Sequence, residues 1–535
     1  MGGLRSCVHM PPPHPPGLNT GRRPMQTWKG RFSNACVAAL ETAQEAARKR
    51  SAPWQWSLLE AAAMLQSGQV SSVELTTACL ARVDAANGGS PSFDGAPDAV
   101  NAWVRLYPER ALQAAHVADR LLASGEPVPL LCGTTLGIKD VIAIGGLPLT
   151  ASSRVLEGHI APEDSALWRG LRAHGMVPLG HTHTHEFANG ATADQVGNPF
   201  DLARSAGGSS AGSAAALATG MVAAALGTDT GGSLRVPAAL CGVATLKPTY
   251  GSLPLDGVIP MAPSRDTAGP MGRTVDDCSA LLHAMCSDAA GIAAVDAFAD
   301  GTRHLPLLPA AQDQPLRGVR IAMTDRPHSA TLDDDVAHAL ARARDLAITL
   351  GAELLDLAAP RSWLSADDLA LLLYPEAWAY HRQHVPERLH LYRPSVRETV
   401  EKASRSYALA DYIAARERRD LETLAWDRWM AEHRVDMVLE PTVHHVARPR
   451  GSGYDVASGT GSLHAVSLPR QWNLLGYPVV SLPVGLGADT GLPVSVSLAA
   501  RRLHERVVIQ AALALQQVLN AQQAFQHRLW GAGRA

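Results

Sequence analysis

Lysine is the charge this sequence uses least: five of its 47 basic residues, at Lys29, Lys49, Lys139, Lys247 and Lys402. Arginine fills almost every other basic position, so a lysine inside an apolar run asks for a chemical reason. Net charge is scarce too. Against 50 acidic side chains the balance is −3, which excludes the strong basic field of a nucleic-acid or membrane-surface binder. Seven cysteines (Cys7, Cys36, Cys79, Cys132, Cys241, Cys278 and Cys286) are dispersed without a CxxC pair. That excludes a disulfide framework and a cysteine zinc site, and fits free thiols in a reducing, cytoplasmic setting. The most apolar stretch, residues 213–226, is alanine-rich and broken by Gly220, short of the ~20 residues a membrane helix needs. The first fifty residues lack the apolar core of a secretory signal. Residues 1–24, with proline-rich 10–16 and Arg22-Arg23-Pro24 ahead of Met25, read as a mobile tail or a product of start-codon choice.

What is present describes a soluble globular chain of 535 residues, 46% apolar and 18% charged. Ser71-Ser72-Val73-Glu74 forms a capping box ahead of Leu75, Cys79, Leu80 and Val83, predicting a helix. Pro108 opens a second helix to residue 123. Residues 130–144 read as strands broken at Gly133 and Gly137, residues 165–174 as a helix and 176–179 as a buried strand. Residues 189–208 read as loop, 210–218 as a closely packed small-residue helix, and 222–226 as a strand followed by a loop over 227–235. Later strands are expected at 318–323, 437–440 and 478–484, with a helix over 334–350. This alternation predicts an α/β fold with a mixed, twisted central sheet flanked by helices on both faces. The expected organisation is a tail and leading helix over 1–50, partly disordered, then a single domain over 51–530. Residues 289–315 are read as an excursion within it.

Two glycine–serine loops stand close together, Gly207-Gly208-Ser209-Ser210-Ala211-Gly212 and Gly227-Thr228-Asp229-Thr230-Gly231-Gly232-Ser233. Successive N–H groups in such a loop can hold a developing oxyanion, with a serine at its end placed to attack. Each loop alone reads more readily as a tight turn around a packed helix. A serine nucleophile needs a base, and a buried lysine made neutral can serve where arginine cannot. Lys139 lies in Leu136-Gly137-Ile138-Lys139-Asp140-Val141-Ile142. The alternative is a lysine whose stem packs while its amine reaches water.

Taken together, Gly208-Ser209-Ser210-Ala211-Gly212-Ser213, residues 227–238, Cys241-Gly242 and Leu246-Lys247-Pro248-Thr249-Tyr250-Gly251 resemble the signature of the amidase signature family. Residues 137–140, 184–187, 270–277 and 473–498 extend the resemblance to about 55–520. It implies the amidase signature fold and a Ser-Ser-Lys triad. Ser233 would be the nucleophile, Ser209 the bridging serine behind a cis peptide from Gly208, and Lys139 the base. The N–H groups of Thr230, Gly231, Gly232 and Ser233 would hold the oxyanion, with Ser210, Asp229 and Arg235 in support. No cofactor and no metal are implied. The implied partner is a small-molecule amide, without nucleic acid or membrane, with a homodimer as the candidate assembly. A variable helical region at about 363–434 would shape the pocket. Its Trp363, Tyr374, Trp378, Tyr380, Tyr392, Tyr407 and Tyr412 suggest an aromatic lining for an apolar or aryl acyl group, or plain core.

Other signals compete. Gly208–Gly212 also fits GxSxG with Ser210 as nucleophile, but that elbow needs a hydrophobic strand before it and residues 199–206 read as polar loop. His181, His183 and His185 alternate along one segment and form a candidate zinc site, in a segment where the family usually has Lys-Thr-Asn-Thr. Gly242-Val243-Ala244-Thr245-Leu246-Lys247 lacks the second glycine of a phosphate loop. The leading expectation is hydrolysis of a small carboxylic amide to acid and ammonia or amine. The alternatives are the glutamine-hydrolysing component of a tRNA-dependent amidotransferase, then a non-catalytic scaffold or a zinc protein using the histidine cluster.

Overall fold

The computed structural model describes residues 34–286, 314–326, 332–451 and 466–519, with 525, 528 and 529 beyond them. Eleven strands form one sheet. From one edge they run β1 (Trp103–Leu106), β3 (Val177–Thr182), β2 (Thr135–Lys139), β6 (Ala224–Asp229), β8 (Thr267–Gly272) and β7 (Ala244–Lys247). They continue through β12 (Val479–Leu486), β13 (Pro493–Ala500), β11 (Met437–Pro441), β9 (Arg320–Thr324) and β10 (Glu353–Leu357). β3, β2 and β6 are mutually parallel, as are β11, β9 and β10, and antiparallel pairs join the two groups. The sheet is therefore mixed, as the alternating pattern predicts.

Local chemistry fixes the helices where the sequence places them. Leu58–Gln66 and Ser72–Ala86 each begin in a reciprocal capping box, Ser57 with Glu60 and Ser71 with Glu74. The helix Pro108–Ala123 starts on its proline, and Ala166–Ala173 is capped by Ser165, whose hydroxyl accepts from the Trp168 N–H. The small-residue helix spans Ala211–Ala218, and all eight of its residues are buried. Its composition has a steric cause. A Cβ on Gly212 would stand 2.3 Å from the Ala102 carbonyl oxygen and 2.4 Å from the His183 nitrogen, so only glycine lets this helix seat against that backbone.

Three expectations need correction. Residues 189–208 are not all loop: β4 (Gly197–Asn198) and β5 (Asp201–Ser205) pair antiparallel in a separate small ribbon. Asn198 holds it by donating to the carbonyls of Ser205 and Leu240. The strand expected at 222–226 runs instead over Ala224–Asp229, so the first half of the second glycine motif is strand, not loop. Between residues 130 and 144 there is one strand, Thr135–Lys139, not several. Residues 1–33 lie outside the described residues, as does most of the 289–315 excursion. Among the described residues no helix is long and apolar enough to cross a membrane.

Candidate active site

Lys139 is the last residue of β2 and Asp229 the last of the neighbouring parallel strand β6. Their side chains therefore emerge at the same end of the sheet. The Lys139 side chain is fully buried. Its Nζ donates to Ser209 Oγ at 2.7 Å, to Thr228 Oγ1 at 2.8 Å and to the Thr228 carbonyl at 3.5 Å. Every partner is neutral. Burial lowers the amine to about 7, against the opposing pull of Asp229 and Asp266. An amine so placed exchanges its proton near neutrality.

Ser209 is also fully buried, and the Gly208–Ser209 peptide is cis. The Ser209 carbonyl accepts from the His185 N–H at 3.0 Å, and the Ser210 N–H donates to the Ser233 carbonyl at 3.1 Å. The two glycine–serine loops are thus tied together by their backbones. Ser233 is 9% exposed, and its hydroxyl makes no hydrogen bond among the described residues. Lysine and bridging serine are brought into direct contact, and Ser233 stands one backbone bond away with its hydroxyl uncommitted.

The loop between β6 and the helix Arg235–Cys241 is built on Asp229. Its Oδ1 accepts from the Gly232 N–H at 2.6 Å and its Oδ2 from the Leu234 N–H at 3.2 Å. Arg235 Nε donates to Asp229 Oδ2 at 2.9 Å, and Nη2 bridges Asp229 Oδ1 at 3.1 Å and Asn473 Oδ1 at 2.7 Å. Asn473 Nδ2 returns to Asp229 Oδ1 at 2.8 Å. The ion pair is wholly buried, and Arg235 beside it holds the Asp229 carboxyl far below the usual range against the cost of burial. This network corrects one expectation. The Gly232 N–H is already spent on Asp229, so it is not available to an oxyanion. The N–H groups of Thr230, Gly231 and Ser233 make no hydrogen bond among the described residues and remain free to hold one. Gly232 has φ +126°, and a Cβ there would meet Pro469 Cγ at 2.8 Å, which is why the loop needs glycine.

The competing motifs resolve into structural roles. Ser210 Oγ donates to the Thr228 carbonyl at 3.2 Å and so braces the loop junction. The segment before it is strand β5, half exposed and outside the main sheet, not the buried strand a nucleophile elbow requires. The histidines do not converge on a metal. His181 contacts the Tyr107 hydroxyl at 2.9 Å and the Ile142 carbonyl at 3.1 Å, while His183 contacts Ser152 Oγ at 3.1 Å and the Ser92 carbonyl at 2.8 Å. His185 Nδ1 faces the Glu186 carbonyl. Burial lowers His183 to about 3, a neutral ring, and disfavours charge on His181 as well. Among the described residues no group of three or more His, Cys, Asp or Glu could hold a metal ion. Lys247 is buried, with Nζ on the Pro248 carbonyl at 2.8 Å, and it makes no hydrogen bond to Ser209.

The 363–434 region reaches the surroundings of the site at Glu186, Phe187 and Ser264. Glu186 Oε2 accepts from the Arg393 N–H at 2.7 Å, and Glu376 Oε2 from the Ser264 N–H at 2.9 Å. Its aromatics divide. Phe187 packs against His381 and Tyr392 at ring-centroid distances of 4.7 and 5.5 Å, Tyr374 stacks on Tyr407, and Trp363 is exposed. Two contributors were not visible in the sequence. Thr228 supplies a second hydroxyl to Lys139, and Asp266 takes the Thr230 hydroxyl at 2.5 Å.

Comparison with known proteins places this geometry in company. The family described as Amidase matches residues 74–509. The A chain of the glutamyl-tRNA(Gln) amidotransferase from Roseiflexus sp. (strain RS-1) is 34% identical over 493 residues, 87% of this chain and 96% of that protein. Among solved structures, native peptide amidase from Stenotrophomonas maltophilia shares 28% identity at TM-score 0.71, covering 87% of this chain and 97% of its own. A chain from a vestigial protein complex bearing on the evolutionary origins of an s-triazine catabolic enzyme aligns at TM-score 0.75 and 27% identity, covering 86% and 98%.

Proposed function

The chain belongs to the amidase signature family and is a hydrolase of amide C–N bonds, and from that premise we propose that it works through an acyl-enzyme on Ser233. The observation that carries this reading is the Lys139–Ser209 contact. Lys139 is buried, bonded only to neutral oxygens and poised near pH 7, as a base at neutral pH must be. In the neutral state the amine lone pair takes the Ser209 proton while Ser209 takes that of Ser233. The Ser233 oxygen then attacks the amide carbonyl, and the N–H groups of Thr230, Gly231 and Ser233 carry the negative charge. The relay returns a proton to the leaving nitrogen, the C–N bond breaks, and water cleaves the ester by the same route.

Two narrower readings divide the support. The similarity to the Roseiflexus amidotransferase chain supports glutamine as the amide and partner proteins as the destination of the ammonia. That likeness outweighs the expectation of a free-standing small-amide hydrolase. The second reading draws its support from the likeness to a peptide amidase. Ammonia release by the purified chain from a panel of aliphatic, aryl and ureido amides, with glutamine included, tests them. Turnover of simple amides without partners supports the free hydrolase, whereas activity confined to glutamine supports the amidotransferase reading. Ser233→Ala must abolish all of it; near-normal turnover in that variant overturns the acyl-enzyme mechanism.

A further inference from the structure

Two guanidiniums stand beside the Thr230–Ser233 loop without a close ion pair among the described residues. Arg265 precedes Asp266, which accepts the Thr230 hydroxyl, so its backbone is fixed to that loop. Its side chain is 4% exposed, and its Nε and Nη1 are buried without a hydrogen-bond partner. Arg470 approaches from the helix Ser467–Leu475. Its Cγ lies 3.9 Å from where a Cβ on Gly231 would stand, and the preceding Pro469 packs on Gly232. Its side chain makes no hydrogen bond or ion pair with a described residue. Burial, and then the charge of Arg265, lower Arg470 to about 10, and Arg470 is half-buried where Arg265 is enclosed.

The carboxylates within reach of Arg265 are committed elsewhere. Asp266 accepts from Thr230 and from the N–H groups of Met261 and Ala262. Glu376 accepts from the Ser264 N–H and the Tyr412 hydroxyl. Neither forms an ion pair with Arg265 or Arg470 among the described residues. Glu376 and Asp266 still favour the Arg265 cation from a distance, and Arg419, paired with Asp420, opposes them. A buried guanidinium with unbonded donors, as in Arg265, is costly to maintain, and the forked donors of both arginines match a planar carboxylate.

We propose that Arg265 and Arg470 form a carboxylate subsite beside the acyl centre, so that the substrate is an amide that itself carries a carboxylate. The inference rests on the amide-hydrolase reading and narrows its substrate class to dicarboxylic half-amides and amino-acid side-chain amides. The two sources differ in the α-ammonium group, which half-amides lack.

Steady-state kinetics of the whole chain on half-amides from malonamate to glutaramate, on L-glutamine and on neutral butyramide test it, with glutarate as competitive inhibitor. The carboxylated amides are expected to lead butyramide in kcat/KM by about tenfold or more, the scale of a charged hydrogen bond. Arg470→Gln should collapse that ratio by about tenfold, mainly through KM, and weaken glutarate inhibition equally. Arg265→Lys, should it fold, retains part of the preference. A lead by the half-amides assigns the free source, and a lead by glutamine the amino-acid source. Ser233-dependent turnover of butyramide without any preference for carboxylated amides overturns the subsite and leaves amide hydrolysis standing. If no amide is turned over, the hydrolase reading fails instead. Calorimetric binding of glutarate to the chain and to Arg470→Gln then decides the subsite, and equal or absent binding overturns it.

Discussion

Lys139 Nζ and Ser209 Oγ stand 2.7 Å apart with neither side chain exposed to solvent. The contact joins the end of β2 to a loop seventy positions later, and no carboxylate shares it. Lys139→Arg preserves charge but not the capacity to become neutral. It is expected to lower kcat by about 10²–10⁴, the usual weight of general base catalysis. Far-ultraviolet circular dichroism alongside the kinetics separates this from unfolding, and an active arginine variant would assign Lys139 a purely electrostatic role.

The acidic limb of the pH–rate profile should report the same amine. Only its unprotonated form accepts a proton, and burial sets it at about 7. The expected kcat/KM therefore rises tenfold per pH unit below 7 and levels above it. A profile flat from pH 5 to pH 9 would contradict the assignment.

Asp229→Asn removes the charge that Arg235 was buried to meet, at a site where both side chains are wholly enclosed. Breaking a buried pair in this way costs about 3–5 kcal/mol. Urea unfolding of the variant should register a loss of that size, together with reduced turnover because the Gly232 and Leu234 N–H groups lose their ionised acceptor.

Gly232→Ala is expected to damage turnover more than stability. The new methyl would meet Pro469 Cγ at 2.8 Å from a backbone held at φ +126°, so the loop must shift and the flanking N–H groups of Gly231 and Ser233 move with it. Loss of one oxyanion donor lowers kcat by about 10²–10³. Unchanged kcat would show that those N–H groups do not hold the oxyanion.

Much of this site was legible because its chemistry leaves local marks. A lysine in an apolar run and two adjacent glycine–serine loops are readable one by one, and capping boxes and prolines set the helix starts at Ser72 and Pro108 within a residue. What the sequence hid is created by long-range contact. Thr228 is an ordinary threonine until β6 is laid beside β2. Nothing in Gly232 announces that its N–H is consumed by a carboxylate three residues earlier, and the β4–β5 ribbon was masked by turn-forming residues. Alternation suggested that three histidines share a face, yet the carbonyls and hydroxyls they meet come from other parts of the chain. Arg265 and Arg470 are unremarkable in an arginine-rich sequence, and only burial without partners sets them apart.

The loop from Asp229 to Arg235 is anchored by its own first and last residues, with Asn473 bracing it from outside. By contrast, the 363–434 region meets the site edge at Glu186 with Arg393, at Ser264 with Glu376 and Arg419, and at Phe187 with His381 and Tyr392. Among the described residues the Asp229–Arg235 loop makes no hydrogen bond to the 363–434 region. Swapping the 363–434 segment between relatives is therefore expected to leave both the Ser233 chemistry and the carboxylate preference set by Arg265 and Arg470 in place.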